Sequence, residues 1–418
     1  MIISLTDHIN NNGLTKMIVF IFFLVAARTP AIGQLSSTDI LSNHIGKMSD
    51  KVYNKNISYF ESNNMELSTV NKIGFRTETE EMDVDQQKYM VRVNFNSSAI
   101  KNAYKKLMTA TKNEYKSLQS QNELRKTTDI YNLIVKWQIA QKEKSIINEG
   151  LLIQTDIQNV LNKMLINGMK FNMNEWLNNE NNISDGKSDS ISILLEIKNL
   201  ENLLKINDNQ NNIANWISIS KINEIVNTID ESTIAQTIMN NVAIDKAKAE
   251  LELEKAEGKK WFDFAQVQYQ QENKLNFQKE FSFGASISIP YKARNKTKIN
   301  EATLELYEQD YKSQIRQTNK ESIINNLKTK IRNLTKQLTH YTETLNKMGL
   351  QKTYNSVLNN ASVSPLELLN IKALILKQKK KTNKIKRDIF FRYIEFLKET
   401  ELLLSSKVNY LSNNLETY

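Results

Sequence analysis

Residues 280–310 read EFSFGASISIPYKARNKTKINEATLELYEQD, and the period of the pattern changes partway through. Phe281, Phe283, Ala285, Ile287 and Ile289 hold the odd positions, and Ser282, Gly284, Ser286 and Ser288 the even ones. A strand here carries one greasy face and one small polar face. Beyond Pro290 and Tyr291 the pattern becomes helical, so a strand of about ten residues feeds directly into a helix.

The same unit occurs earlier. Residues 73–95, IGFRTETEEMDVDQQKYMVRVNF, alternate in two stretches around a polar turn and lead into a helical segment. Ile73, Phe75, Tyr89, Val91, Val93 and Phe95 fall on one face, and Arg76, Glu78 and Arg92 on the other. The later strand has its own predecessor, WFDFAQVQYQQEN at 261–273, in which Trp261, Ala265, Val267 and Tyr269 alternate with Gln266, Gln268 and Gln270. The chain thus predicts strand pairs at 73–95 and 261–290, each entered and left by helix. A lone two-stranded hairpin is marginally stable, so the pairs must join something.

Between the strands the chain is short of breakers, with Pro 3 and Gly 10 in 418 residues, which favours long uninterrupted helices. From Ile324 the apolar residues Leu327, Ile331, Leu334, Leu338, Tyr341, Leu345 and Met348 keep a 3-4 spacing, a heptad seam that closes at Gly349. After a tip at 349–364, Ser364, Pro365 and Glu367 make a capping box for a returning helix that can lie antiparallel to the first. The helix from about Lys298 to Met348 would span roughly 75 Å, and that from Ile100 to Leu165 roughly 100 Å. Residues 166–222 give a weaker pattern. There NNENNISDGKSDS is expected to be a loop tip or an insertion between two weaker helices.

At the N-terminus, Lys16 precedes an apolar run from Met17 to Ala27, with Ala31-Ile32-Gly33 before Gln34. The run is too short to span a bilayer and reads as a secretory signal over 1–33, with Met17 as an alternative start. The exported chain then divides into a first repeat, 34–222, and a second, 223–418.

Cys 0 removes disulfides, thiolate metal sites and cysteine catalysis, and the three histidines His8, His44 and His340 leave little for imidazole chemistry. No nucleophile-base pair or metal-ligand cluster stands out, so neither an enzyme nor a cofactor is expected. The formal charge is +10, but Lys and Arg are interleaved with Asp and Glu, which argues against nucleic-acid binding. A mean hydropathy of -0.50 excludes a polytopic helical membrane protein and leaves a membrane β-barrel open.

Two stretches, FSFGASISIPYKARNKTKINEATLELYEQD and YNSVLNNASVSPLELLNIKALILKQKK, together with the repeat, resemble the TolC-type outer-membrane efflux proteins (outer membrane factors). The resemblance covers nearly the whole exported chain. It implies a mainly α fold with a membrane β-barrel contribution: a homotrimer with four strands per subunit, a twelve-stranded barrel and an α-helical periplasmic tunnel of antiparallel coiled coils. It also implies an outer-membrane exit duct of a tripartite efflux or type I secretion system in a Gram-negative bacterium, served by a periplasmic adaptor and an inner-membrane pump. Phe281, Phe283, Ala285, Ile287 and Ile289 would then face outer-membrane lipid, and Arg76, Glu78, Arg92, Gln266, Gln268 and Ser286 the lumen. Trp261 and Tyr291 would form an interface girdle, and Asn360, Ala361, Ser362, Leu366 and Leu369 an adaptor-docking tip. The chain departs from the pattern at Lys292-Ala293-Arg294, where glycines are usual, and at Asn360-Ala361, where a tip glycine is common. An exported coiled-coil scaffold or adhesin, soluble and without a barrel, is the competing reading.

Overall fold

The computed structural model describes residues 35–45, 51–63, 65–79, 87–170, 172–206, 213–229, 238–270, 281–287, 295–358, 363–405 and 408–417. The first repeat begins with β1 (Leu35–Ser36), α1 (Ser37–Ile45) and α2 (Lys51–Ser62). Then come β2 (Val70–Thr79), β3 (Gln87–Phe95), α3 (Ser98–Ile166), α4 (Met173–Leu204), β4 (Ile213–Ala214) and α5 (Ile219–Thr228). The second repeat supplies α6 (Ile238–Gly258), β5 (Phe262–Gln270), β6 (Phe281–Ile287), α7 (Lys296–Met348), α8 (Leu350–Val357), α9 (Pro365–Glu399) and α10 (Leu402–Ser405). The expected signal segment, the residues 80–86 and 271–280 that join the strands, and residues 288–294, which include the expected end of the last strand, lie outside the described residues.

The two predicted strand pairs form one antiparallel sheet in the order β2-β3-β5-β6. The helices run away from it as a wall. In the half nearer the sheet α6 lies between α3 and α7, and in the half farther from it α9 takes that place, with α4 on the outer flank of α3. A belt of α1, α5, the parallel pair β1-β4 and the C-terminal segment packs across the middle.

The largest buried cluster sits at this belt. Trp137, Tyr131, Ile134 and Val135 of α3 meet Tyr393, Phe396 and Leu397 of α9 and Ile324 and Ile331 of α7, all essentially inaccessible. The polar side chains at its centre are paired. Trp137 Nε1 donates to Glu201 Oε1 at 3.2 Å, and the Tyr131 hydroxyl donates to the Val408 carbonyl at 3.1 Å while accepting the Tyr410 amide at 3.2 Å. Asn409 ties the C-terminal segment to α1 through Ser37 Oγ at 2.7 Å. Burial pushes the Tyr393 hydroxyl well above the usual tyrosine range, so it stays protonated and donates to the Tyr410 carbonyl.

The heptad seam is found where the spacing places it, with Leu327, Ile331 and Leu338 buried and Leu334 and Tyr341 half-buried, and α9 runs beside it. The Ser364 capping box also forms, Ser364 Oγ accepting the Glu367 amide at 3.2 Å and Glu367 Oε2 accepting the Ser364 amide at 2.9 Å.

Two expectations are corrected. The stretch NNENNISDGKSDS is neither loop nor insertion: residues 178–190 lie inside the 32-residue helix α4. Ile183, Ile193, Ile197, Leu200 and Leu204 bury one stripe of it, while its Asn and Ser residues mostly face outward. Packing against α3 therefore outweighs poor intrinsic propensity. Asn179 reinforces this by donating to the Gln154 carbonyl at 2.9 Å and to Gln158 Oε1 at 2.7 Å. A Cβ at Gly186 would lie 2.8 Å from Leu151 Cδ2, so glycine here permits the close approach of the two helices. The first tip lies around Asn167 and Gly168, the latter with φ 63°, and Asn172 caps α4. At the second tip, residues 350–357, expected within the tip, are helical.

Candidate functional site: a two-faced sheet and a helical wall

Strand register decides which side chains share a face, because residues directly paired across antiparallel strands project to the same side. Three rows cross the whole sheet on one side: Ile73-Val93-Ala265-Ala285, Phe75-Val91-Val267-Phe283 and Thr77-Tyr89-Tyr269-Phe281. Apart from Thr77 this side is apolar. It is also uncovered, with Phe75 80% and Phe283 82% exposed. The opposite side carries Gly74-Arg92-Gln266-Gly284 and Arg76-Met90-Gln268-Ser282. Arg92 donates to Gln266 Oε1 from its terminal nitrogen at 2.9 Å and lies 4.0 Å from the centre of the Phe264 ring. Arg76 forms an ion pair with Glu78.

All six residues expected on the polar side are together there: Arg76, Glu78, Arg92, Gln266, Gln268 and Ser286, the last paired with Phe264. Phe281, Phe283, Ala285 and Ile287 are together on the apolar side. Ile289 and Tyr291 lie outside the described residues, and Trp261 stands 60% exposed just before β5.

Sequence alternation alone missed one feature. Register shifts occur between Val70 and Lys72 in β2 and between Phe262 and Phe264 in β5, near the start of the first strand of each repeat. Each extra residue turns the strand over by one position. Val70, Phe95, Phe262 and Ile287 then line up as a further apolar row at the helix end, with Phe95 and Phe262 ring centroids 5.6 Å apart. The even numbering of Val70 and Phe262, against odd-numbered apolar neighbours, is the signal that could have revealed it.

At the far end of the wall, both tips converge. Leu366 and Leu369 are half-buried against a cluster of Ile153, Ile157, Leu161 and Trp176, so they seat the second hairpin on the first. Asn360, Ala361 and Ser362 lie outside the described residues. Along the wall the two hairpins are joined by Glu149 and Lys379 at 2.8 Å and by Glu143 and Arg387 at 3.7 Å. Burial raises the Glu143 carboxyl above the usual carboxylate range, with Arg387 opposing it, and lowers the Lys142 ammonium, which Lys386 lowers further.

No family model and no curated protein matches the chain. Solved structures do. CusC, whose crystal structures concern folding and transmembrane channel formation, superposes with a TM-score of 0.64 over 88% of this chain and 92% of its own, at 12% identity. The outer membrane protein VceC from Vibrio cholerae gives 0.59 over 88% and 93% at 10% identity. The chain has the fold of the outer-membrane-factor channels. The MtrE outer membrane channel of Neisseria gonorrhoeae, in its open state, agrees with a TM-score of 0.54 over 91% and 90% at 12% identity.

No described helix is long and apolar enough to cross a membrane, and no cluster of potential metal ligands occurs among the described residues. Among the described residues, the two-sided sheet with its unpaired edges at β2 and β6 and the exposed apolar flanks of the wall are what the fold offers for function.

Proposed function

We propose that this protein is an outer-membrane exit duct of a tripartite efflux or type I secretion system, acting as a homotrimer in a Gram-negative outer membrane with its helices in the periplasm. The observation that carries this reading is the sheet, exposed and apolar apart from Thr77 on one side, largely polar on the other, and, among the described residues, open at both β2 and β6. A soluble scaffold would have to bury that apolar side, whereas lipid covers it. Strands of 10, 9 and 9 residues in β2, β3 and β5 match the length that crosses a bilayer at a tilt. Three copies closing a twelve-stranded barrel would pair every edge, as a chain in lipid requires.

The wall supports the same assembly. Its flanking helices expose apolar stripes: Ile191 and Leu195 on α4, and Leu304, Tyr307 and Tyr311 on α7, each at least 62% exposed. A neighbouring copy would cover both. Conduction is passive, through a water-filled lumen lined by Arg92, Gln266 and their row, and involves no bond chemistry. The periplasmic adaptor, coupled to an inner-membrane pump, docks at the second tip through Asn360, Ala361 and Ser362, with Leu366 and Leu369 holding the hairpin behind them.

Membrane fractionation tests the reading. The protein should stay with outer membranes after high-salt and carbonate washing, and light scattering of the detergent-extracted protein should give a trimer. Release by the washes, with a monodisperse monomer, would return the chain to the scaffold reading. For the tip, large or charged substitutions at Asn360, Ala361 and Ser362 should abolish export at unchanged trimer content, and normal export would move the docking site elsewhere.

A further inference from the structure

The belt marks one side of the helical wall. Trp216 packs against Phe390 of α9 with ring centroids 5.3 Å apart and the rings tilted by 53°, and α5 reaches α7 through Asn227, which accepts from Arg332 at 2.8 Å. On the other side, two grooves flank α9, one against α7 lined by Lys330, Gln337 and Asp388, the other against α3 lined by Arg125 and Asp129. They share Phe391. Phe391 and Asp388 therefore point away from the belt. Seven residues are nearly two helical turns, so Lys384 and Lys377 follow Phe391 along one line of α9, and Lys381 follows Asp388. All three lysines are exposed.

At the level of the belt this side is balanced, with Arg125 near Asp129 and Asp388 near Arg392. Farther toward the tips the balance is lost. On α9 the line continues only as Lys384, Lys381 and Lys377. On α7 the line from Lys330 continues as Gln337 and Thr344. The carboxylates that α3 brings to this level are engaged elsewhere, Glu143 with Arg387 and Glu149 with Lys379. Lys381 Nζ lies 5.9 Å from the centre of the Tyr341 ring, which keeps the ammonium on this side of the wall.

We infer that Lys377, Lys381 and Lys384 form a cationic collar inside the tunnel that makes the duct select anionic cargo. The inference rests on the duct reading, in which a belt bound to the outside of the wall leaves the opposite side facing the lumen. Three copies would repeat the stripe around the bore, and rings of lysine favour anions by raising their local concentration where low-dielectric walls focus the field.

The test is a reversal-potential measurement on the purified full-length trimer in planar bilayers under a potassium chloride gradient. Wild type should pass chloride severalfold better than potassium. The triple substitution Lys377→Glu, Lys381→Glu and Lys384→Glu should reverse the sign of the potential. Replacing the same three by glutamine should bring it close to zero, which keeps the test valid should the glutamate variant assemble poorly. Lys221→Glu, on the belt helix α5, should leave selectivity unchanged. A conducting wild type that prefers potassium, or a chloride preference that survives both triple variants, overturns the collar alone. Failure of wild type to conduct overturns the duct reading and takes the collar with it.

Discussion

The two repeats share a plan and differ in charge. Each has a strand pair, a bulge near the start of its first strand, a long descending helix and a returning helix. Yet residues 141–204, the tip half of the first hairpin, hold nine carboxylates and six lysines, net −3, while residues 327–388 of the second hold three carboxylates and fourteen Lys or Arg, net +11. Fold and charge have therefore diverged independently. The shared plan resides in the apolar positions that face neighbouring elements, and those are indifferent to what the exposed positions carry. The electrostatic contrast still has structural consequences. It produces the ion pairs that join the hairpins, and it puts Lys142 close enough to Lys386 for the two to repel.

If the repeats contribute equally to the belt core, removing a large side chain from either should cost about the same. Trp137→Ala in the first and Phe396→Ala in the second should each destabilise by about 3–5 kcal/mol in denaturant titrations of the detergent-solubilised protein. Trp137→Ala should be the worse of the two, because it also removes a donor from the buried Glu201 carboxylate. A near-neutral result at one position would show that its repeat is merely attached to a core built by the other.

The sheet offers a sharper comparison, since Phe75 and Phe283 lie in one row at opposite edges. Arginine at either should cost about 2–4 kcal/mol if the row lies near the bilayer midplane, and Ser286→Arg should be tolerated. Outer-membrane levels of the three variants check this. Loss at Phe283 without loss at Phe75 would mean that only the second hairpin is immersed.

The sheet was legible because alternation with period two is a local signal, and the register brought together every described residue assigned to either face. The bulges were not legible as such, since a single extra residue at Asn71 or Asp263 only blurs the alternation at a strand's end. The capping box at Ser364 was equally plain, being written in four consecutive residues. The helix α4 was hidden for the opposite reason. Its Asn, Ser, Asp and Gly residues have poor helical propensity, and the stripe from Ile183 to Leu204 becomes decisive only once α3 lies beside it. The lysine collar needed the grooves beside Phe391 before KQKKKTNKIKR could be assigned a side.

Caps at the two tips should differ modestly. Asn172→Ala at the start of α4 and Ser364→Ala at the start of α9 should each cost about 1 kcal/mol, as loss of an N-cap usually does. Ser364 should cost somewhat more, because the reciprocal bond that its amide donates to Glu367 is disturbed with it. Protection of the first-turn amides against hydrogen exchange gives the comparison directly. Equal protection in both variants and wild type would show that packing, not capping, holds the tips.

The smallest effect concerns a bridge between the repeats. Lys246 of α6 lies 2.9 Å from Glu114 of α3. The hydrogen bond that the Lys246 ammonium donates to Glu114 raises its pKa above the ordinary lysine range; burial opposes this, and the charges of Glu114 and Glu250 add to it. A cation whose folded pKa exceeds its unfolded value contributes stability that is fully present below the unfolded pKa and is lost as pH rises through the folded one. Both side chains are about one-third exposed, at 32% and 35%, so screening by solvent holds the contribution below about 1 kcal/mol. Thermal unfolding of wild type and Lys246→Met should therefore differ by a constant small amount from neutral pH up to the lysine range, about pH 10. The difference should vanish as pH climbs beyond it, and added salt should shrink it at every lower pH. A difference that persists unchanged in strong alkali would assign the effect to packing of the lysine stem, and the two repeats would then be joined at this level by apolar contact rather than by charge.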